Sequence, residues 1–470
     1  MLLRVRRIPL AVSVALVVAL SAVAVAWPAE VGERQTTILN PSGANGGSDN
    51  VTFSQDDRMA RLIAYDSDAD NIVPGDTNGQ RDVFVHTRSQ AGANGDFDGG
   101  DQIASLTSSG QPANGPSENP SIDGDKKRPP HCVVFQSAAT NLDPADSNPD
   151  EDVYIRDLSR KTTKLVSFGL SNAQNPTIDG ECQTVTFDAS GTVYLRDLVK
   201  NKTLKIGVGI NADQQNNGKG VAWVRGGHID YQAFVRKFRA GNNIVKQGRA
   251  VLVDRNKLGE PGNGTAANPS MDDNGYYVAF ESTSTNLCKP AACAGIGGED
   301  RNGGESDIFR RTINPKKAPT HDFMQMASYS QGCSAGDPGS KSVDVQGNGP
   351  SNNPAMTGAG ENIVFDSQAD NLKESSGIQK ADANGREIRD IYYWNFPRGR
   401  KCGNVSRESR NEDPRESGTG QPYDDNSENP ATSNRANFIG FTSEEAGASG
   451  ESNGRVIPDV FVRFLGGGPG

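Results

Sequence analysis

Histidine and tryptophan are scarce in this chain, with four and three residues among 470. The four His (His86, His131, His228 and His321) are not spaced with cysteines as in a zinc motif, and no Cys-x-x-Cys occurs. A structural zinc site or a dithiol redox site of the usual kind is therefore not indicated. Trp27, Trp223 and Trp394 are too scattered to form a sugar-stacking platform. After residue 26 no apolar run is long enough to span a bilayer, and Leu-rich helical stretches are almost absent. Hydrophobic residues reach only 34%. That is low for one large core, but it suits many short strands that each bury one face.

Gly at 54 and Pro at 26 supply frequent turns. The N-terminus reads as an export signal: Arg4, Arg6 and Arg7 precede the uncharged segment Ile8 to Ala26, which closes on the A-x-A string Ala24-Val25-Ala26. If this segment stays uncleaved it is a membrane anchor instead. The resulting division is a signal peptide over 1–26, a linker over 27–34, one repeat domain over 35–466 and a flexible tail over 467–470. Cleavage removes three Arg and takes the formal net charge from −10 to −13. So acidic a chain repels phosphate backbones and anionic lipid, which excludes nucleic acid as the expected partner and leaves the membrane only to an uncleaved anchor.

Six cysteines in an exported chain permit three disulfides. Cys288 and Cys293 close a short loop. Cys132 and Cys182 stand just ahead of equivalent strand cores in neighbouring repeats, so adjacent strands can bring them together. Cys333 and Cys402 pair by elimination.

One repeat organises the chain. Its first part is a polar turn, Ser117-Glu118-Asn119-Pro120 and Ser427-Glu428-Asn429-Pro430, which recurs as Asn175-Pro176, Asn268-Pro269, Asn353-Pro354 and Ser48-Asp49-Asn50-Val51. Its second part is an apolar run closing on an aromatic and a small residue, as in Val133-Val134-Phe135-Gln136-Ser137 and Ile363-Val364-Phe365-Asp366-Ser367. Its third part is an alternating strand after an Asp, as in Asp152-Val153-Tyr154-Ile155 and Asp459-Val460-Phe461-Val462. A fourth strand follows several copies, such as Thr162 to Ser167. These are short, β-branched or aromatic segments bounded by turn formers, the composition of half-buried antiparallel strands.

Six copies are plain, and a degenerate seventh spans about Asn211 to Asp254. Repeated four-stranded units predict an all-β fold, a β-propeller of seven blades, or six if the degenerate stretch is an insertion. The last copy lacks a fourth strand, and Thr36-Thr37-Ile38-Leu39, ahead of the first copy, resembles it. Thr37 precedes Asn50 by the same 13 residues that separate Thr162 from Asn175. The N-terminal strand is therefore expected to complete the last blade and close the ring, hiding an edge that otherwise invites aggregation.

The strings Asn119-Pro120-Ser121-Ile122-Asp123-Gly124, Val134-Phe135-Gln136-Ser137-Ala138-Ala139-Thr140-Asn141-Leu142 and Asp146 to Leu158 resemble the TolB-like propeller repeat of exported bacterial proteins. Residues 117–176 carry the resemblance best, and traces run through most of the chain. It implies the propeller fold and an extracytoplasmic location, with members that bind proteins or glycans and some that are enzymes.

Two features are candidate sites. Asp76, Asn78 and Asp82 in the first repeat are matched by Asp146, Asn148 and Asp152 in the second. Clustered carboxylate and amide oxygens suit Ca²⁺, the one cofactor the sequence suggests; the same residues also form tight Asx turns without any metal. The second feature is loop length. The connections between second and third strands that end at Asp82, Asp152 and Asp459 are 15, 15 and 16 residues long, but those ending at Asp307 and Asp390 take 25 and 23. Long loops on a rigid scaffold often carry binding. The expectation is a secreted, non-enzymatic binding or scaffold propeller that holds a protein or glycan on this loop face. The alternative is a secreted polysaccharide hydrolase or lyase at the channel mouth, although no catalytic carboxylate pair can be chosen without distances.

Overall fold

The computed structural model describes residues 36–38, 44–56, 60–88, 99–237, 243–288, 300, 302–314, 324–330, 345–372, 388–395, 404–411, 421–422, 426–443 and 458–465. These form seven four-stranded antiparallel sheets in a ring, a seven-bladed β-propeller, with no helix among the described residues. Blade 1 comprises Ser48–Phe53, Leu62–Ser67, Asp82–Thr87 and Gly100–Ile103, and blade 2 Ser117–Ile122, Cys132–Ser137, Asp152–Asp157 and Thr162–Leu165. Blade 3 comprises Ala173–Ile178, Thr184–Ala189, Thr192–Asp197 and Lys202–Val208. The degenerate stretch is blade 4, built from Ile210–Gln214, Gly220–Arg225, His228–Lys237 and Asn243–Leu252. Blade 5 has Ala266–Met271, Tyr277–Ser282, Asp307–Thr312 and Met324–Met326. Blade 6 has Ser351–Met356, Asn362–Ser367, Asp390–Asn395 and Asn404–Arg407.

Blade 7 closes the circle. Ser427–Thr432, Phe438–Ser443 and Asp459–Phe464 take Thr36–Ile38 as their outer strand, with Thr37 opposite Val462. This is the closure expected from the mismatched ends. The export segment over 1–26 lies outside the described residues. Among the described residues, no helix is long and apolar enough to cross a membrane.

The second and third strands of each blade form its buried centre, because their apolar residues are covered on both faces by neighbouring blades. In six blades an aromatic pair sits directly across these two strands. Tyr65–Phe84, Phe135–Tyr154, Phe187–Tyr194, Phe280–Phe309, Phe365–Tyr392 and Phe441–Phe461 stack with ring centroids 5.6 to 6.1 Å apart. Such directly opposed pairs are a main source of sheet stability. In blade 4 the position holds Trp223 opposite Asp230, and the Trp indole donates to the Val208 carbonyl at 3.0 Å. That substitution explains why this copy is hard to recognise in the sequence.

The largest departure from the sequence reading concerns the Ser-x-Asn-Pro segment. It is the innermost strand of each blade rather than a turn, and the inner strands of successive blades lie side by side around the channel. It is polar because one side of it faces that channel.

Candidate functional site

Each inner strand carries one Asn in the left-handed backbone region: Asn50, Asn119, Asn175, Asn211, Asn268, Asn353 and Asn429, with φ between 47° and 54°. Asn tolerates this conformation far better than most residues. In every blade the register with the second strand slips there by one residue, as between Asp49 and Thr52. This bulge turns two consecutive side chains toward the channel. The burial pattern agrees: the second, third and fifth residues of the strand are partly accessible, and the others are buried.

The bulges are tied together across the blades. Asp66 accepts hydrogen bonds from Asn50 Nδ2 in its own blade and from the Asn119 N–H in the next, both at 2.9 Å. Asp188 does the same with Asn175 Nδ2 (3.1 Å) and the Asn211 N–H (3.0 Å), and Glu281 with Asn268 Nδ2 (3.1 Å) and the Asn353 N–H (2.7 Å). Gln136 accepts from the Asn175 N–H at 2.8 Å. Blade 4 has Val224 at the equivalent position, and blade 7 has Thr442, which donates to Asp49 at 2.6 Å. Burial raises the acid pKa values of this belt, those of Asp66 and Asp366 to about 6.

Charges at the mouth follow the belt. Arg81 pairs with Asp66 and with Asp68 (2.7 Å), and Arg389 with Asp366 (3.3 Å) and Glu428 (3.4 Å). Where the belt residue is the neutral Gln136, the position of Arg81 is taken by Glu151. Gln136 Nε2 donates to Glu151 at 2.9 Å and to Glu118 at 3.1 Å. In these three blades an acidic belt residue thus meets an Arg at the mouth and the neutral Gln136 meets an acid.

Three rings of side chains line the channel. The outermost is uneven: Glu428, Asp49 and Glu118 make an acidic crescent on blades 7, 1 and 2, while Ile210 and Ala267 face the channel from blades 4 and 5. The seven Asn form the second ring. The third holds Thr52, Ser121, Thr177, Asp213, Ser270, Ala355 and Ala431, so it contains a single carboxylate. Asp213 accepts from the Met271 N–H at 2.7 Å, and burial lifts its pKa to about 7.

Beyond the third ring the channel narrows. The turns that follow the inner strands are linked by backbone hydrogen bonds: the Gly180 N–H donates to the Asn216 carbonyl (2.7 Å) and the Gly358 N–H to the Asn434 carbonyl (2.9 Å). Turns of alternate blades also touch, Asn216 Nδ2 reaching the Gly124 carbonyl at 3.1 Å and Asn434 Nδ2 reaching Asp273 at 2.6 Å. At Gly180 a Cβ would collide with the Gly124 carbonyl, so glycine is required there. Asp123, Asp179 and Asp272 hold the same turns by accepting backbone N–H bonds from the start of the second strand. The open end is the opposite one, where the connections between second and third strands emerge.

The calcium candidates sit on that open face. In blade 2, Asn148 Oδ1 accepts from the Asp150 N–H (2.7 Å) and its Nδ2 donates to Asp152 (3.4 Å). Asp146 accepts from the Asn148 N–H (3.1 Å) and the Tyr154 hydroxyl (2.7 Å). Blade 1 repeats the Asn part: Asn78 Oδ1 accepts from the Gln80 N–H (3.1 Å), and its Nδ2 donates to Asp82 (2.7 Å). Asp76, the counterpart of Asp146, differs, since neither of its carboxylate oxygens has a hydrogen-bond partner. Most of the two long loops, residues 289–299 and 373–387, lies outside the described residues.

Cys132 and Cys182 form a disulfide between blades 2 and 3, with Cα atoms 6.1 Å apart. Cys288 is disulfide-bonded as well; Cys293, Cys333 and Cys402 lie outside the described residues. His131 and Asp123 approach the first disulfide, a juxtaposition that the sequence spacing did not suggest, but the sulfurs there are already bonded to each other. The string Gly332-Cys333-Ser334-Ala335-Gly336 fits the Gly-x-Ser-x-Gly pattern and also lies outside the described residues. A nucleophile elbow needs a strand-to-helix turn. The flanking described segments are instead the two strands of a small hairpin, Tyr329–Ser330 and Val345–Gln346.

No family model matches this chain, and no curated protein matches it. Among solved structures it is similar to TolB from Acinetobacter baumannii, at 13% identity and a TM-score of 0.32 over 59% of this chain and 53% of that one. The chain therefore matches about half the length of that TolB. It is similar to an oligogalacturonate lyase in complex with manganese, at 10% identity and a TM-score of 0.47 over 92% and 94% of the two chains. The β-propeller domain of the Trilobed protease from Pyrococcus furiosus is similar at 7% identity and a TM-score of 0.43, over 90% and 96%. Likeness this distant assigns no function, and the fold rests on the strand pairing itself.

Proposed function

We propose that this chain is an exported, non-enzymatic binding propeller that receives a protein segment or glycan at its channel mouth. The observation that carries the proposal is the shape and chemistry of the channel: narrowed by interlocked turns at one end, and lined at the other by an acidic crescent above a ring of seven amides. Amides and hydroxyls recognise hydrogen-bonding groups such as sugar hydroxyls or a peptide backbone, and the crescent of Glu428, Asp49 and Glu118 favours cationic ones. Export agrees with the basic, apolar and A-x-A segments at the N-terminus and with the Cys132–Cys182 disulfide.

The test is to screen the full chain against a glycan array and a panel of Lys- and Arg-rich peptides, beside the variant Glu118→Gln/Glu428→Gln. The proposal expects a ligand whose affinity falls about tenfold in the variant, roughly 1.4 kcal/mol. Binding that ignores the mouth substitutions would refute it. One observation favours the hydrolase or lyase alternative: carboxylates surround Arg81 and Arg389, and Asp66 and Asp366 have pKa values raised to about 6. Release of reducing or unsaturated ends from an acidic or neutral polysaccharide would establish that reading instead.

A further inference from the structure

Blades 1 and 2 have the same connection between second and third strands, with one chemical difference. In blade 2 the Tyr154 hydroxyl lies 2.7 Å from Asp146 Oδ2 and 3.0 Å from the Ala139 carbonyl, filling the space between them. The counterparts in blade 1 are Phe84, Asp76 and the Ala69 carbonyl, and phenylalanine has no hydroxyl to place there. Asp76 is only 8% exposed, yet neither of its carboxylate oxygens finds a hydrogen-bond donor. The Asn78 N–H lies near enough to Asp76 to favour its charged form.

The equivalent acid of blade 5 is also satisfied. Asp300 accepts from Gln346 Nε2 at 2.9 Å and from the Asn302 and Gly304 N–H groups. The bare carboxylate is therefore particular to blade 1 among the described loops. Burying an ionised carboxylate without partners is costly, so it recruits a proton, a water or a cation. The neighbourhood favours a cation, because Asp70 and Asp82 both interact electrostatically with Asp76. Carboxylate and carbonyl oxygens are the hard ligands that calcium prefers.

We infer that the loop between the second and third strands of blade 1 binds a single divalent cation, calcium, held by Asp76 with Asp70 and the Ala69 carbonyl. Blade 2 does not, because its tyrosine hydroxyl occupies the position of the ion. Of the two calcium candidates in the sequence, the structure thus separates one from the other by the single difference between Phe84 and Tyr154. Water completes the coordination shell, since Asp70 is exposed.

Calorimetric titration of the chelator-treated full chain with CaCl₂, alongside Asp76→Asn, Phe84→Tyr and Asp146→Asn, tests this. One calcium ion is expected to bind the wild type and Asp146→Asn, with affinity falling at least tenfold in Asp76→Asn and in Phe84→Tyr. Phe84→Tyr supplies the hydroxyl of blade 2, so it decides the matter even if Asp76→Asn fails to fold. Absence of calcium binding by the wild type would overturn the inference in favour of a water or a proton on Asp76. Binding that survives Phe84→Tyr would overturn it too, by placing the ion elsewhere.

Discussion

Replacing Asn175 by Ala and, separately, by Gly divides the cost of an inner-strand bulge into a backbone part and a side-chain part. Asn175 sits at φ 53°, and its Nδ2 donates to Asp188 Oδ1 at 3.1 Å and to Asn211 Oδ1 at 3.0 Å. Both substitutions remove these two hydrogen bonds, each with a net value of about 0.5–1.5 kcal/mol. Ala must in addition adopt the left-handed conformation, at about 1–2 kcal/mol. Gly avoids that strain but brings an entropic penalty of about 0.5–1 kcal/mol. The expected losses are about 2–5 kcal/mol for Ala and about 0.5–1 kcal/mol less for Gly. Urea unfolding followed by circular dichroism measures both, with unchanged slopes showing that compactness is unaltered. If Gly destabilises as much as Ala, the positive φ is not held by the fold. If both lose less than about 0.5 kcal/mol, the ties between blades contribute nothing to stability.

Two further expectations concern stability. Replacing Cys132 and Cys182 together by Ser opens a loop of 50 residues; in the chain-entropy picture this lowers unfolding free energy by up to about 4 kcal/mol. Reducing agent should destabilise the wild type by about that much more than the variant, because the disulfide of Cys288 is common to both. Asp213 and Asp272 have pKa values raised to about 7, with burial as the main cause, from an ordinary value near 3.8. A raised pKa contributes stability that is complete below the ordinary value and lost as pH rises through the raised one. The denaturation midpoint should therefore fall between about pH 4 and pH 7. Asp213→Asn retains an acceptor for the Met271 N–H and should flatten part of that fall, being more stable than the wild type at pH 8; a slope identical in the two proteins would show that Asp213 does not titrate there.

Much of the fold was legible along the chain, because each repeat copies a pattern of neighbouring residues. Alternation around Phe135 and Tyr154, or Phe365 and Tyr392, marks the second and third strands, which pair across a short connection. The missing fourth strand of the last copy and the extra one ahead of the first sufficed to close the ring. The channel, by contrast, was decided only in three dimensions. The inner strands read as polar turns because a strand with one polar face toward the channel has the same composition as a loop. Asp66 reaches Asn119 and Asp188 reaches Asn211 through bonds between residues 53 and 23 positions apart, and no local periodicity reports such partners. Likewise Asp76 and Asp146 are the same residue in the same pattern; what distinguishes them is one hydroxyl on the third strand, which matters only once that strand is folded against the loop.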